Sequence, residues 1–144
     1  MRTMVAPAEI LGTYLHLAQA SARRQRFHVR DRLLVIAGSI SHRLNPTNVA
    51  AYCRLIVLAH NRHHMIRRWS SFAAALDDPD FLHFLKQLQR QYPQEKAERM
   101  LAELGIEMGR ERETYYSDEE YAAALLGTDP QAIARQLSAA DPPA

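Results

Sequence analysis

The sequence has one cysteine, five glycines among 144 residues and no long apolar run. Cys53 cannot form an internal disulfide, which argues against the disulfide-stapled folds of small secreted domains. A membrane-spanning helix needs about 18 or more consecutive apolar residues, so we expect no membrane segment. The first residues also lack the basic and apolar regions of a signal peptide. We therefore expect a cytoplasmic protein.

Motifs that mark enzyme active sites are also missing. The chain contains no Gly-rich phosphate loop, no nucleophile elbow and no paired-cysteine metal motif. No segment alternates apolar and polar residues in the way that a half-buried strand does. The sequence therefore predicts neither a sheet nor a cofactor, and we expect a protein that is not an enzyme.

Helical periodicity, interrupted by proline and glycine, is what the sequence does have. Apolar residues recur every three or four positions after Pro7, from Val29 to Leu44, and after Asn45-Pro46, where the asparagine is predicted to cap a third helix. Later helix starts are predicted at Ser70 or Ser71, Asp78-Pro79, Pro93, Ser117 and Asp129-Pro130, with stops at Gly105 and Gly127.

These signals predict an all-α protein. We expect a single compact helical bundle of about five to six helices in residues 1–106. Residues 107–144 are predicted to form a looser acidic tail, made of a charged linker and short C-terminal helices.

Charge is divided unevenly along the chain. Residues 1–72 hold 11 arginines against Glu9 and Asp31, a net charge of +9, whereas residues 73–144 hold 7 basic and 14 acidic residues, a net charge of −7. This asymmetry is typical of a surface that binds nucleic acid or an acidic partner. It also fits two solvated halves that pair with each other, within one chain or between chains.

Two clusters of basic residues carry the strongest functional signal. Their members are Arg23, Arg24, Arg26 and Arg30 in the first cluster, and Arg62, Arg67, Arg68 and Trp69 in the second. Arginines bind phosphates and exposed aromatic rings stack on bases, so two clusters on one continuous face would favour nucleic-acid binding. Clusters that point apart, or that the acidic segment at residues 107–120 covers, would favour protein association. The third helix is too apolar to read a DNA groove and offers only Asn48 and Arg54 to bases.

The histidine-rich sequence at the end of the third helix is another candidate site. His60 and His64 are expected one turn apart on one helical face, where they would be able to share a metal ion such as zinc. The sequence lacks the glutamate of an H-E-x-x-H motif, and a third ligand would have to come from another helix. The alternative is that His60 packs at a helix end while His63 and His64 face water.

Three functions remain open from the sequence. We expect first a non-enzymatic helical interaction module that binds another protein or associates with itself, because Trp69, Tyr115 and Tyr116 are expected to be exposed and are of the residue types that interfaces favour. Nucleic-acid binding through the Arg-rich N-terminal half is the alternative. A metal-dependent enzyme that uses His60 and His64 is the second alternative.

Overall fold

A computed structural model describes residues 6–140, which form helices and turns without strands. The first five residues, on which the expectation of no signal peptide partly rests, and the closing Asp-Pro-Pro-Ala lie outside the described residues. The α-helices of the described part are α1 (Pro7–Arg23), α2 (Phe27–Arg43), α3 (Thr47–His60), α4 (Phe72–Leu76), α5 (Pro79–Gln91), α6 (Gln94–Glu103), α7 (Asp118–Leu125) and α8 (Pro130–Ala140). Two 3₁₀ turns lie at Met65–Arg68 and Glu111–Thr114. The all-α class is confirmed.

Helices α1, α2 and α3 are consecutive antiparallel neighbours joined by short turns. Gln25 and Asn45 both adopt positive φ angles, 60° and 91°, where the chain reverses direction. The predicted capping role of Asn45 is wrong, because its side chain makes no cap hydrogen bond and α3 begins only after Pro46. Asparagine tolerates the left-handed conformation better than most residues, and Asn45 serves the turn that follows α2.

Other helix ends match the sequence prediction closely. The side chains of Ser71, Asp78 and Ser117 each accept a hydrogen bond from a backbone N–H in the first turn of the helix that follows, at 2.9–3.1 Å. Gly105 has a φ of 72°, and the next residue donates its N–H to the carbonyl of Leu101 at 3.0 Å. This is the left-handed stop predicted for α6.

The buried interior extends across both predicted regions of the chain. Leu11 and Leu15 of α1 and Leu33 of α2 are fully buried at its centre. Helices α7 and α8 pack against α1 and α3, and they bury Tyr121 and Ile133 completely. The boundary predicted at residue 106 stays a prediction. In the described part of the chain, no helix is both long enough and apolar enough to cross a membrane.

Candidate functional site

The first basic cluster lies on the connection between α1 and α2. Arg23, Arg24 and Arg26 are exposed there, and Arg30 follows on the first turns of α2. The chain reverses at Gln25, so these arginines occupy the end of the bundle at which α1 stops and α2 begins. A tight turn between two helices therefore concentrates positive charge at one end of the molecule.

The antiparallel pairing of α2 with α3 brings the end of α3, directly before the second basic cluster, to the same end of the bundle. His60, the last residue of α3, lies against the first two residues of α2, with ring centroids 5.5 Å from Phe27 and 5.4 Å from His28. Arg62, Arg67 and Arg68 come directly after His60 in the chain and are exposed. We call the seven arginines of the two clusters the arginine-rich end; they are Arg23, Arg24, Arg26, Arg30, Arg62, Arg67 and Arg68.

A buried carboxylate lies between Arg30 of the first cluster and the end of α3. Asp31 is 3% exposed, and its two oxygens contact Arg30 at 3.1 Å and His60 Nδ1 at 2.6 Å. The Arg30 guanidinium also lies 4.8 Å from the centre of the Phe27 ring. These contacts join the start of α2 to the end of α3, because a buried carboxylate requires partners on both sides. No motif in the sequence singles out Asp31 as this link.

Most of the positive charge of the arginine-rich end is not neutralised. Arg30 pairs with Asp31, and Arg68 pairs with Asp80 at 3.1 Å. The Arg68 pair is more than half exposed on both sides and is therefore weak. The other five arginines form no ion pair with any carboxylate in residues 6–140.

Trp69 does not lie where the sequence suggested. Its exposed fraction is only 6%, its indole N–H donates to Asp78 Oδ2 at 2.8 Å, and its ring meets Phe81 edge-on at 5.2 Å. The hydrogen bond from Trp69 is the main reason that the pKa of Asp78 lies below its ordinary value. The expectation of an exposed Trp69 is wrong, because its ring completes the packing against α5. The Arg68 guanidinium lies 4.9 Å from the centre of the Trp69 ring.

The two tyrosines of the acidic segment differ from each other. Tyr115 is half-buried against Tyr121, with ring centroids 5.4 Å apart, whereas Tyr116 is 95% exposed. Of the three aromatic residues expected to be exposed, Tyr116 is therefore the one that faces solvent most fully.

His60 and His64 do not share a helical face. Helix α3 ends at His60, and Asn61 is already extended, so the one-turn spacing that the metal hypothesis requires is absent. His60 Nδ1 is engaged with Asp31, and His64 Nδ1 accepts the N–H of Ile66 at 3.0 Å. Within residues 6–140, no three His, Cys, Asp or Glu side chains are grouped so as to hold a metal ion.

Arg54 is a fourth arginine beside the three of the second cluster. It lines a cavity of about 620 Å³ together with Leu58, Arg62, His63 and Arg67, and no carboxylate contributes to the lining. Arg54 Nε donates to the Trp69 carbonyl at 3.0 Å, and burial lowers the pKa of its guanidinium. The sequence suggested Arg54 only as a base-reading residue, because nothing in its spacing shows that the chain after α3 folds back beside it.

The acidic segment packs against α1 and α7, and not against the arginine-rich end. Glu111 accepts hydrogen bonds from Tyr121 at 2.7 Å and lies 2.6 Å from His16 Nε2, in the middle of α1. Burial, followed by the hydrogen bond to Glu111, raises the pKa of Tyr121 above its ordinary value. Arg112 pairs with Asp118 inside the same segment. Among the described residues, no ion pair joins the acidic segment to the arginine-rich end.

Cys53 is an inert core thiol in this fold. It is fully buried on α3, and burial raises its pKa to about 12. A thiol that does not ionise at neutral pH is a poor nucleophile and a poor metal ligand.

Comparison with protein-family models, with curated proteins and with solved structures finds no match to this chain. The candidate function therefore rests on the residues and their geometry.

Proposed function

We propose that this protein is a non-enzymatic helical module that binds nucleic acid through its arginine-rich end. The observation that carries the proposal is that the end of α3, where the second basic cluster begins, packs against the start of α2 beside the first cluster, with His60 in contact with Phe27 and His28. Protein association was the first expectation from the sequence, and clusters on one continuous face were the feature that would favour nucleic acid instead. The contact between the end of α3 and the start of α2, together with the position of the acidic segment away from both, supports nucleic acid over a protein partner.

The charges at this end suit a phosphate backbone. Five of the arginines have no carboxylate partner in residues 6–140, so they can contact phosphates without first breaking an ion pair. Guanidinium groups match the geometry of phosphate oxygens, and each contact releases condensed counterions. Such contacts hold the backbone and do not read sequence, so we expect little sequence preference.

Paired substitutions test the arginine-rich end. Arg24→Gln/Arg26→Gln removes charge from the first cluster, and Arg62→Gln/Arg67→Gln removes it from the second. Each double variant should bind short single- and double-stranded oligonucleotides about tenfold or more weakly at low salt, and its salt slope should fall by about 2, because two phosphate contacts are lost. Fluorescence anisotropy measures both quantities.

The matched control is Arg90→Gln/Arg99→Gln, which removes two exposed arginines from α5 and α6. It changes the net charge equally but leaves the arginine-rich end intact. The control should keep at least most of the wild-type affinity. An equal loss in all three double variants would show that net charge alone governs binding and would overturn the proposed surface.

A protein partner is the second candidate, and the 95% exposure of Tyr116 favours it. Large exposed aromatic side chains are enriched at protein interfaces. If the chain associates with itself through this residue, sedimentation should detect a dimer or larger species that Tyr116→Ser dissociates. A monomer at all concentrations, with or without the substitution, would remove self-association from consideration. The metal-dependent enzyme has no geometric observation in its favour.

A further inference from the structure

An apolar groove adjoins the basic cavity beside α3. The groove has a volume of about 740 Å³ and lies between α3, α4 and α8, where its apolar lining includes Ala51, Leu55, Phe72 and Leu137. Arg54 and Leu58 line both the groove and the basic cavity of about 620 Å³. The two spaces therefore adjoin each other at Arg54 and Leu58, with cationic side chains around one and mostly apolar side chains along the other.

The groove accounts for an unusual feature of α3. The middle of this helix is apolar nearly all round, which predicts burial on most sides. The structure buries Cys53 and Val57, but it leaves Ala51, Leu55 and Leu58 only partly covered along the groove. Apolar side chains that remain open beside a cavity of this size are typical of ligand-binding sites, which have volumes of about 300–1,000 Å³.

Arg54 stands at the junction with a fixed orientation. Its Nε–H is held by the Trp69 carbonyl, which leaves the terminal nitrogens of the guanidinium without a protein partner among the described residues. Arg62 and Arg67 face the same cavity, and neither has a carboxylate partner there. Partial burial of an unpaired guanidinium is costly, and an anion bound beside it would offset that cost.

We propose that the basic cavity and the adjoining groove together bind a single-chain amphiphile with a phosphate monoester head. The head contacts Arg54, Arg62 and Arg67, and the alkyl chain lies along Ala51, Leu55 and Leu137. A phosphate monoester carries a charge of about −1.5 to −2 near neutral pH, which suits three arginines better than the single charge of a carboxylate does. This site extends beyond nucleic-acid binding, although the two share Arg62 and Arg67.

Calorimetric titration with dodecyl phosphate, below the concentration at which it forms micelles, tests the proposal. One molecule should bind per chain, at least about 100-fold more tightly than inorganic phosphate, because the phosphate ion lacks the apolar part. Dodecanoate should bind more weakly than dodecyl phosphate. Equal affinity for inorganic phosphate would overturn the role of the groove, and equal affinity for dodecanoate would overturn the choice of head group.

Two variants separate the contribution of the phosphate head to binding from that of the alkyl chain. Arg67→Gln, at an exposed position, should weaken dodecyl phosphate binding about tenfold or more, whereas Arg90→Gln should not. Ala51→Phe fills the groove without changing charge and should abolish the advantage of dodecyl phosphate over inorganic phosphate. Many molecules bound per chain, with no change in either variant, would show detergent-like adsorption and overturn the site. Circular dichroism confirms that each variant is folded.

Nucleic-acid binding by the same variants keeps the two proposals distinct. Ala51→Phe should leave oligonucleotide affinity unchanged, because the substitution does not alter the arginine-rich end. Dodecyl phosphate binding without any oligonucleotide binding would overturn the proposed function and leave the amphiphile site standing. Oligonucleotide binding without any dodecyl phosphate binding would overturn only the amphiphile site.

Discussion

Asp31 fixes the geometry of the arginine-rich end at the scale of single residues. Its carboxylate is buried between Arg30 and His60, and it joins the start of α2 to the end of α3. Without this link, the repulsion among nearby guanidinium groups would favour separation of the two helix ends. One buried carboxylate thus holds together a surface whose other charges are mostly positive.

His64 gives a pH-dependent prediction at the same scale. Burial lowers the pKa of His64 below its ordinary value of 6.5, with a smaller lowering effect from His60 and an opposing effect from Asp31. As pH falls below 6.5, the unfolded chain therefore takes up this proton before the folded protein does, and the folded state loses stability. The stability contributed by neutral His64 is fully present above pH 6.5.

The substitution His64→Asn should reduce the loss of folding stability at low pH. Asparagine can accept the Ile66 N–H in place of His64 Nδ1, so the turn is retained while the titrating group is removed. The difference in the free energy of unfolding between pH 7.5 and pH 5.5, measured with urea, should be smaller than in the wild type. The exposed His63→Asn is the control and should leave the difference unchanged. An identical pH dependence in wild type and His64→Asn would contradict the prediction.

Close packing between α2 and α4 gives a prediction at the scale of elements. Gly38 of α2 faces the Phe72 ring so closely that a Cβ atom added at Gly38 would overlap the ring. Overpacking of this kind costs about 1–3 kcal/mol, against a gain of about 1 kcal/mol that alanine brings to a helix. Gly38→Ala should therefore lower the free energy of unfolding by up to about 2 kcal/mol in urea titrations.

A double-mutant cycle with Phe72→Leu identifies the cause. The smaller side chain leaves room for the added methyl group, so Gly38→Ala should cost less in the Phe72→Leu background. If Gly38→Ala stabilised the wild-type protein, or cost the same in both backgrounds, the packing explanation would be wrong.

Helix boundaries show what local sequence determines. The caps at Ser71, Asp78 and Ser117 were predictable, because each depends on a side chain that meets a backbone N–H two or three residues later. The end of α3 was not predictable in this way. The helix stops at His60 and the chain folds back to bury Ile66, a contact that depends on tertiary packing. The metal hypothesis assumed that the helix continued to His64, and that spacing is what the structure lacks.

At the scale of the whole molecule, the division of charge was predictable and its arrangement was not. The sequence shows the basic first half and the acidic second half directly. The meeting of residues near 26 with residues near 62 depends on the antiparallel pairing of α2 and α3, which joins Asp31 to a histidine 29 residues away. The burial of Trp69 depends on its packing against α5, and the position of Arg54 depends on the chain that folds back after α3, so neither followed from spacing along the chain.

The affinity of the wild-type protein for nucleic acid across a salt series tests the central claim most directly. Contacts from the five unpaired arginines predict that the logarithm of the binding constant falls linearly with the logarithm of salt concentration. The expected slope is about −3.5 for single strands and about −4.5 for duplexes. Absence of binding at low salt, or a slope near zero, would contradict the assignment of the arginine-rich end as a nucleic-acid surface.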